Sequence, residues 1–362
     1  MIESSKVIEA LAKVIDPISG KNLLEQSMVR DLKIEGKNVQ FTVELSSMDA
    51  NAKSQLNFAC IEKIQQVYPE ANVHVHLMGK MNQAQQSTST LPRVKNIIAV
   101  ASGKGGVGKS TIATNLALGL KKAGHRVGLI DADIYGPSIP TMMGLQGQRP
   151  KVQDVNGKPK IVPLEAYGIQ VMSIGFIIDP EQAVVLRGPR LAAVIKQFFN
   201  DCIWSELDYL VVDLPPGTGD VQLTLVQTVS VTGVVLVTTP QQVAVADAVK
   251  AMNMFLLPSV NVPILGVVEN MSWFTPKELP NNKYFIFGQG GGEEMVKHSK
   301  STLLGKIPII QGIREAGDEG KPAIVQNEPA LEKYFMEVAN NAVREVVLRN
   351  ENKAPTRIVN IK

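Results

Sequence analysis

The chain has 362 residues, of which 44% are hydrophobic and 20% charged, so it can bury a large core and is not of the disordered class. The formal net charge of +3 is small, and no long run of like charges marks a nucleic-acid-binding arm. Two cysteines, Cys60 and Cys202, are too few for a disulfide framework.

The N-terminal residues contain an early acidic residue and no apolar segment of the kind found in secretory signals. No uninterrupted apolar stretch reaches the ~18 residues that a membrane-spanning helix needs. The sequence therefore predicts a cytoplasmic protein that does not enter a membrane. Its length favours two domains, since roughly 150 residues is a common domain size.

Residues 1–79 are predicted to form a small α/β domain, because helical and strand periodicities alternate around a turn at 35–38. The expected elements are a helix near 3–15, strands near 28–34 and 38–45, a helix near 51–67 and a strand at 72–77. His74 and His76 alternate on the last strand and are interpreted as a solvated face, since further metal ligands are missing. Cys60 has the spacing of a core residue.

Residues 80–93 are predicted to be a flexible linker, because this region is rich in Gln, Ser and Thr and has no period. A larger domain is predicted at 94–350, followed by a polar tail at 351–362. Its apolar strands are expected at 96–101, 126–131, 209–213, 234–238 and 264–269, and its clearest helices at 110–122, 190–200 and 243–256.

This alternation of strands and helices predicts an α/β fold with a doubly wound, mostly parallel sheet of the P-loop NTPase type. In such sheets ligands bind at the carboxyl ends of the strands. The motifs that carry chemistry all follow predicted strands. They are therefore expected to meet at one edge of the sheet.

Residues 103–110, GKGGVGKS, fit the pattern G-x-x-x-x-G-K-S/T between a predicted strand and helix. Backbone amides of such a loop and the helix N-terminus bind phosphate oxygens. We expect Lys109 to reach the β- and γ-phosphates and Ser110 to bind Mg²⁺. The predicted ATP-binding residues here are Gly103, Lys104, Gly105, Gly106, Val107, Gly108, Lys109, Ser110 and Thr111.

Lys104 is a second lysine within the loop, where the pattern accepts almost any residue. Its side chain cannot easily fold back onto phosphates that Lys109 already contacts. It is expected to reach the nucleotide of a facing subunit and offset charge that develops during phosphoryl transfer. The alternative interpretation is a solvated surface lysine.

Three aspartates follow predicted strands, and together with the loop they indicate a hydrolytic site. Asp133 is expected to position the attacking water, Asp131 to lie near the Mg²⁺ shell, and Asp213 to hold Mg²⁺ through a water. The rigid turn at 215–220, PPGTGD, is expected to sense loss of the γ-phosphate. The alternative for each aspartate is a residue that only ends a strand.

The blocks KGGVGKST, DADIYGPSIP, LDYLVVDLPPGTGD and GVVENMSWF together resemble the Mrp family of ATPases, within the group that contains ParA and MinD. The resemblance covers about residues 91–345, and residues 1–79 are similar to domains of iron–sulfur assembly factors. It implies a homodimer with ATP at its interface, Lys104 acting across it, and delivery of iron–sulfur clusters to apoproteins. It also implies that Asn270 hydrogen-bonds the adenine and that Pro308 packs beside it.

One departure concerns the cluster ligands. The family usually has Cys-Pro-x-Cys shortly after Asn270, and here this segment contains no cysteine. Clusters are normally held by thiolates, and both Cys60 and Cys202 are interpreted as core residues, so the cluster ligands are unknown. The block at 187–189, which begins with Arg187, resembles the family too but receives no role.

Two alternatives to a cluster carrier remain open at this stage. One is a positioning ATPase like ParA or MinD, which would bind membrane or DNA. The tail contains Pro355 and little helical amphipathicity, which disfavours a membrane partner. The other is a regulatory ATP-gated dimer without cluster binding. An apo iron–sulfur acceptor or a cluster scaffold is the expected protein partner of the carrier.

Overall fold

A computed structural model of the chain describes residues 2–15, 22–25, 28–45, 50–79, 91–134, 136–177 and 188–359. The chain separates into two compact units, Met1–Thr88 and Ser89–Lys362. Most of the predicted linker, residues 80–90, lies outside the described residues, as does Arg187. Within the described ranges no helix is long and apolar enough to cross a bilayer.

The small unit is a three-stranded sheet with helices. Its elements are α1 (Ser4–Leu11), β1 (Val29–Glu35), β2 (Asn38–Leu45), α2 (Ala50–Val67) and β3 (Asn72–Gly79). β2 lies in the centre, antiparallel to β1 and parallel to β3. The first helix is shorter than the sequence predicts, because Ile15 instead pairs with Asn22 as an isolated bridge.

One face of this sheet is apolar and the other is open to solvent. Phe41 and Leu56 are buried in the core of the small unit, and so is Cys60. His74 and His76 are exposed, and the His76 Nε2 lies 2.8 Å from the Gln40 Nε2. The part of the chain that the structure describes has no group of three or more His, Cys, Asp or Glu side chains suited to a metal ion.

The large unit contains an eight-stranded sheet and a separate hairpin. The strands of the sheet are β4 (Val94–Ser102), β5 (Val127–Asp131), β8 (Leu164–Ala166), β9 (Ile169–Ser173), β10 (Leu207–Asp213), β11 (Gly233–Thr238), β12 (Ile264–Phe274) and β13 (Thr302–Ile309), and the hairpin consists of β6 (Lys151–Val155) and β7 (Lys158–Val162). The order in the sheet is β13-β12-β11-β4-β10-β5-β9-β8, and all neighbouring strands are parallel except β8, which is an antiparallel edge. This architecture confirms the predicted doubly wound fold.

Helices cover this sheet, and each of the predicted strands of the large domain is present. The helices are α3 (Lys109–Lys122), α4 (Ile139–Met142), α5 (Gly188–Asn200), α6 (Asp220–Thr228), α7 (Gln242–Leu256), α8 (Gly291–Ser299), α9 (Gln311–Asp318) and α10 (Pro329–Asn352). β5 and β11 are buried along their whole length, which explains their continuous apolar sequence. The parallel register places Asp213 beside Asp131.

The segment after residue 350 has a defined place in the structure. α10 continues to Asn352, and Val359 donates its backbone N–H to the Val226 carbonyl at 2.9 Å. Val359 is 8% exposed and belongs to the core of the large unit. The end of the described part of the predicted polar tail therefore packs against the large unit, with Val359 as an apolar anchor.

Candidate functional site

The loop between β4 and α3 has a backbone that only glycine fits at several positions. Gly106 and Gly108 both have a φ of 81°, in the left-handed region. A Cβ atom on Gly103 would lie 2.0 Å from the backbone carbonyl carbon of Asp247 in α7. A Cβ on Gly108 would lie 2.2 Å from the Asn270 Nδ2. The glycines are therefore required by packing below the loop as well as by its curvature.

Gly103→Ala should destabilise the large unit by about 3 kcal/mol or more, because the α7 backbone would have to move. Urea unfolding should report this as a lower midpoint. Gly105→Ala is the matched control, since its Cβ would have only the Pro216 Cγ nearby, at 3.9 Å. Equal midpoints for the two variants would contradict the close packing of Gly103 against α7.

The loop forms one wall of a cavity of about 160 Å³ at the carboxyl edge of the sheet. The cavity brings together most of the predicted phosphate-binding residues with Asp133 and Pro216. Lys104 lines it as well and is partly exposed. Its lining comprises Ser102, Lys104, Gly105, Gly106, Gly108, Lys109, Ser110, Thr111, Asp133, Ser138, Met142 and Pro216.

The ammonium group of Lys109 lies at the base of this cavity and is 6% exposed. Its Nζ donates to the Asp213 Oδ1 at 2.6 Å and to the Ser110 Oγ at 3.3 Å. It also lies 3.5 Å from the Asp133 Oδ2. One buried cation thus faces two buried carboxylates, which leaves the site short of positive charge.

Each of these two carboxylates keeps one buried oxygen without a hydrogen-bond partner in the described structure, the Asp133 Oδ1 and the Asp213 Oδ2. Burial raises the pKa of Asp213, and the Lys109 ammonium opposes that rise. Buried polar atoms without partners are rare, and hard oxygen donors suit Mg²⁺. Asp213 and Ser110, two of the three residues predicted for the Mg²⁺ site, both contact Lys109 here. Asp133 was predicted to position the attacking water and not to hold the metal.

Asp131 differs from them because both its carboxylate oxygens already accept hydrogen bonds. The Asp133 N–H donates to its Oδ1 at 3.1 Å, while the Ile139 N–H, at 3.3 Å, and the Ser173 hydroxyl, at 2.9 Å, donate to its Oδ2. Burial and the nearby Asp213 raise the pKa of Asp131. In this structure Asp131 holds the loop that carries Asp133, rather than offering a free oxygen to the Mg²⁺ shell.

Asn270 lies in β12 directly beneath the phosphate-binding loop and is 7% exposed. Its Nδ2 donates to the Val107 carbonyl at 2.8 Å. On the neighbouring strand Ile307 pairs with Asn270, and the buried Pro308 follows it. The Asn270 amide thus holds the loop, while Pro308 lies one residue beyond the strand partner of Asn270.

The turn at 215–220 is joined to the same loop by contacts that the sequence analysis missed. The Gly217 N–H donates to the carbonyl of Ser102 at 2.8 Å, and the Ser102 hydroxyl donates to the Lys104 carbonyl at 3.0 Å. The Gln222 side chain donates to the carbonyls of Pro215 and Gly217 at 2.8 and 3.0 Å. No sequence pattern identifies Ser102 or Gln222, because their roles depend on where the turn folds.

The two cysteines lie in different units and are buried, with Cys60 0% and Cys202 8% exposed. Burial raises the pKa of each thiol to about 12, and the Asp201 carboxylate adds to the effect on Cys202. We expect both thiols to react with a disulfide reagent at pH 8 at least ~100-fold more slowly in the folded chain than in the unfolded chain. Fast labelling of Cys60→Ser or Cys202→Ser in the folded state would contradict this burial.

Two family models match the chain. The model described as NUBPL iron-transfer P-loop NTPase, within the ParA group, matches residues 93–343, and that of the iron–sulfur cluster assembly protein domain matches 4–76. An iron–sulfur cluster carrier protein of Synechocystis sp. is 43% identical over 349 residues, covering 96% of this chain and 98% of that protein. A protein of the same name from Escherichia coli K12 is 44% identical, covering 71% and 69% respectively.

Solved structures of nucleotide-binding proteins share the fold of the large unit. A nucleotide-binding protein from Archaeoglobus fulgidus, in complex with ADP, is 36% identical, with a TM-score of 0.58 over 68% of this chain and 94% of that one. The cell division ATPase MinD of Pyrococcus furiosus is 22% identical, with a TM-score of 0.50 over 69% and 98%. The second likeness concerns the fold alone.

Proposed function

Because the chain belongs to the Mrp and NUBPL family of iron-transfer P-loop NTPases, we propose that it binds Mg·ATP, hydrolyses it slowly and thereby switches its state during iron–sulfur cluster transfer. The observation that carries the nucleotide part is the Lys109 ammonium beneath a glycine loop, facing two carboxylates that each keep an open buried oxygen. The cluster part rests on the relatives and on the assembly domain at 4–76.

Phosphate binding is expected to change the partners of Lys109. The loop amides and the Lys109 ammonium would bind phosphate oxygens, and Asp213 would then be free to hold the metal with Ser110. Mg²⁺ would supply positive charge to the β- and γ-phosphates when bound. Because the Asp133 and Asp213 carboxylates outnumber the Lys109 ammonium, the site favours binding of the nucleotide together with Mg²⁺.

Asp133 is the group best placed to orient the attacking water. It lines the phosphate cavity, is 9% exposed, and has an oxygen without a partner in the described structure. Its backbone is held by Asp131, so the carboxylate is positioned before the nucleotide binds. The adjoining Pro216 belongs to the turn expected to respond when the γ-phosphate leaves.

Lys104→Ala should leave the affinity for Mg·ATP within about threefold and lower the turnover rate at least ~30-fold, because the lysine is proposed to act on the partner subunit's nucleotide. Equilibrium binding and phosphate-release assays on one preparation would measure both. Lys95→Ala, which removes a lysine at a surface ion pair with Asp208, is the matched control. Unchanged turnover of Lys104→Ala would remove the cross-subunit role.

The proposal includes a homodimer with ATP at its interface, a cytoplasmic location, and apo iron–sulfur proteins or a cluster scaffold as partners. The adenine contacts of Asn270 and Pro308 belong to it too, supported by the place of Asn270 at the loop and of Pro308 next to its strand partner. The likeness to MinD concerns the fold alone and does not favour a positioning ATPase. The missing cysteines after Asn270 agree with the regulatory alternative, and the relatives and the assembly domain at 4–76 favour the carrier.

The test is an anaerobic transfer assay with a cluster-loaded scaffold protein as donor and an apo-ferredoxin as acceptor. We expect the chain with Mg·ATP to accelerate formation of holo-ferredoxin, and Lys109→Ala to abolish the acceleration. Acceptor activation that is the same with and without the chain, while the chain hydrolyses ATP normally, would contradict the cluster function and leave the ATPase intact.

A further inference from the structure

The two lysines of the phosphate-binding loop differ in what holds their side chains. The Lys109 ammonium is held by Asp213 at 2.6 Å and by Ser110 at 3.3 Å. Lys104 is partly exposed, and within the described part of the chain no ion pair or side-chain hydrogen bond fixes its ammonium. A lysine side chain loses much rotamer freedom when its ammonium must reach one fixed target. The direction in which Lys104 leaves the loop therefore depends on the backbone that carries it.

The backbone of Lys104 lies between two neighbours that set its position. On one side the Ser102 hydroxyl donates to the Lys104 carbonyl at 3.0 Å. Ser102 is 0% exposed and is the last residue of β4, so this hydrogen bond ties the loop to the sheet. On the other side a Cβ on Gly105 would lie 3.9 Å from the Pro216 Cγ, which places the turn at 215–220 close to the loop. Lys104 is thus anchored to the sheet and bordered by the turn.

The turn is joined to the same serine. The Gly217 N–H donates to the Ser102 carbonyl at 2.8 Å. Gly217 has a φ of 89°, in the left-handed region, so a conformation that other residues rarely adopt aims this N–H. Ser102 therefore contacts the turn through its carbonyl and the loop through its hydroxyl. A displacement of the turn reaches the backbone of Lys104 through this one residue.

Gln222, in the first turn of α6, holds the turn from its other side. Its side chain is 0% exposed, and its Nε2 donates to the carbonyls of Pro215 and Gly217 at 2.8 and 3.0 Å. These two acceptors settle the orientation of the amide, because the reversed amide would set its oxygen against both carbonyls. The Gln222 Oε1 is then buried without a partner in the described structure. An apolar side chain would avoid that cost, so the two donated hydrogen bonds are what this position gains from glutamine.

We propose that Gln222 and Ser102 are positioning residues for ATP hydrolysis, which together form a relay from the turn at 215–220 to Lys104. The inference rests on the proposed function, in which Lys104 acts on the nucleotide of the facing subunit. Gln222 holds the turn, the Gly217 N–H joins the turn to Ser102, and the Ser102 hydroxyl sets the backbone of Lys104. Small displacements at a catalytic group cost much of its effect. When the γ-phosphate leaves and the turn responds, the relay withdraws Lys104 from the spent nucleotide.

The first experiment removes the last link of the relay. Ser102→Ala loses the hydroxyl that donates to Lys104 but keeps the carbonyl that accepts from Gly217. In the full chain we expect the turnover rate to fall at least ~5-fold, while the affinity for Mg·ATP stays within about twofold of the wild type. Equilibrium binding and phosphate release measure the two quantities. Unchanged turnover, or a loss of affinity that matches the loss of turnover, would refute the positioning role of Ser102.

The second experiment releases the turn. Gln222→Met keeps the length of the side chain and removes both donated hydrogen bonds, so turnover should again fall at least ~5-fold with the affinity for Mg·ATP within about threefold. Thr228→Val is the matched control, because it removes a buried hydrogen bond of the same helix, from the Thr228 hydroxyl to the Thr224 carbonyl at 2.6 Å, away from the turn. Its turnover should stay within about twofold of the wild type. Equal turnover for Gln222→Met and Thr228→Val would contradict the relay.

The third experiment asks whether the relay acts through Lys104. Ser102→Ala/Lys104→Ala should turn over within about twofold of Lys104→Ala alone, because the hydroxyl has nothing left to position. A purely structural effect of Ser102 would instead multiply with that of Lys104, and this result would overturn the relay.

The same set of variants separates the inference from the proposed function. Slow turnover in Lys104→Ala with normal turnover in Ser102→Ala overturns the relay alone and leaves the cross-subunit role of Lys104 standing. Wild-type turnover in Lys104→Ala removes that role and the relay together.

Discussion

Lys109→Ala is expected to lower the affinity for Mg·ATP at least ~100-fold, the largest binding effect that the structure predicts. Hydrogen bonds to charged groups contribute about 1.5–3 kcal/mol each, and the Lys109 ammonium would make more than one to the phosphates. It is the buried cation of the phosphate cavity, at 6% exposure. Isothermal titration with Mg·ATP measures the loss, and Lys104→Ala is the control that should still bind.

Loss of Lys109 also leaves Asp213 buried without its partner at 2.6 Å, which costs about 3–5 kcal/mol in comparable pairs. The single variant is therefore expected to unfold at lower urea concentration. Lys109→Ala/Asp213→Asn should regain most of the stability, because the uncompensated charge is gone, but it should not regain binding. A double variant that binds Mg·ATP like the wild type would refute the role of Lys109.

Asp133→Ala should reduce the hydrolysis rate at least ~100-fold while Mg·ATP still binds, since water positioning is needed only for the chemical step. The ATP-bound state should then accumulate as a dimer in gel filtration. Asp133→Asn keeps the shape of the side chain and should lose activity too, because the amide cannot accept hydrogen bonds at both positions. Phosphate release and elution volume are the two measurements.

Ser138→Ala is a suitable control for Asp133, because Ser138 lines the same cavity and has no proposed part in hydrolysis. Its turnover should stay within about threefold of the wild type. If Asp133→Ala hydrolyses ATP at the rate of Ser138→Ala, another group orients the water. If it elutes only as a monomer with ATP, the expected trapping of the dimer is wrong.

The sequence predicted five of the eight strands of the large sheet and missed β8, β9 and β13. β11 and β5 are covered on both faces, so their apolar runs are unambiguous. The separate hairpin of β6 (Lys151–Val155) and β7 (Lys158–Val162) also escaped prediction, because its residues are mostly exposed and form no continuous apolar run. Its turn uses Asn156 and Gly157 at φ values of 56° and 77°. Asn-Gly is a typical sequence for a two-residue hairpin turn, so this pair could have indicated the hairpin.

Within the site, the sequence predicted the local motif but not the contacts between distant segments. The pattern at 103–110 fixes the loop, because its glycines and lysine act on the backbone around them. The sequence could not show which of Asp131, Asp133 and Asp213 keeps a carboxylate oxygen without a hydrogen-bond partner, since all three end strands or follow them. Only the folded chain shows that Ser173 and Ile139 donate to the Oδ2 of Asp131 and the Asp133 N–H to its Oδ1, while Asp133 and Asp213 each keep one oxygen without a partner in the described structure.

By itself, the sequence determined that a phosphate-binding loop opens a helix in an α/β sheet, and that the usual cluster cysteines are missing. Both follow from residues adjacent in the chain, whose effect on the backbone or on ligand chemistry is local. The tertiary structure alone decided which carboxylate oxygens lack partners and that Asn270 supports the loop from another strand. Burial and pairing depend on side chains brought together from distant segments, so no local pattern determines them.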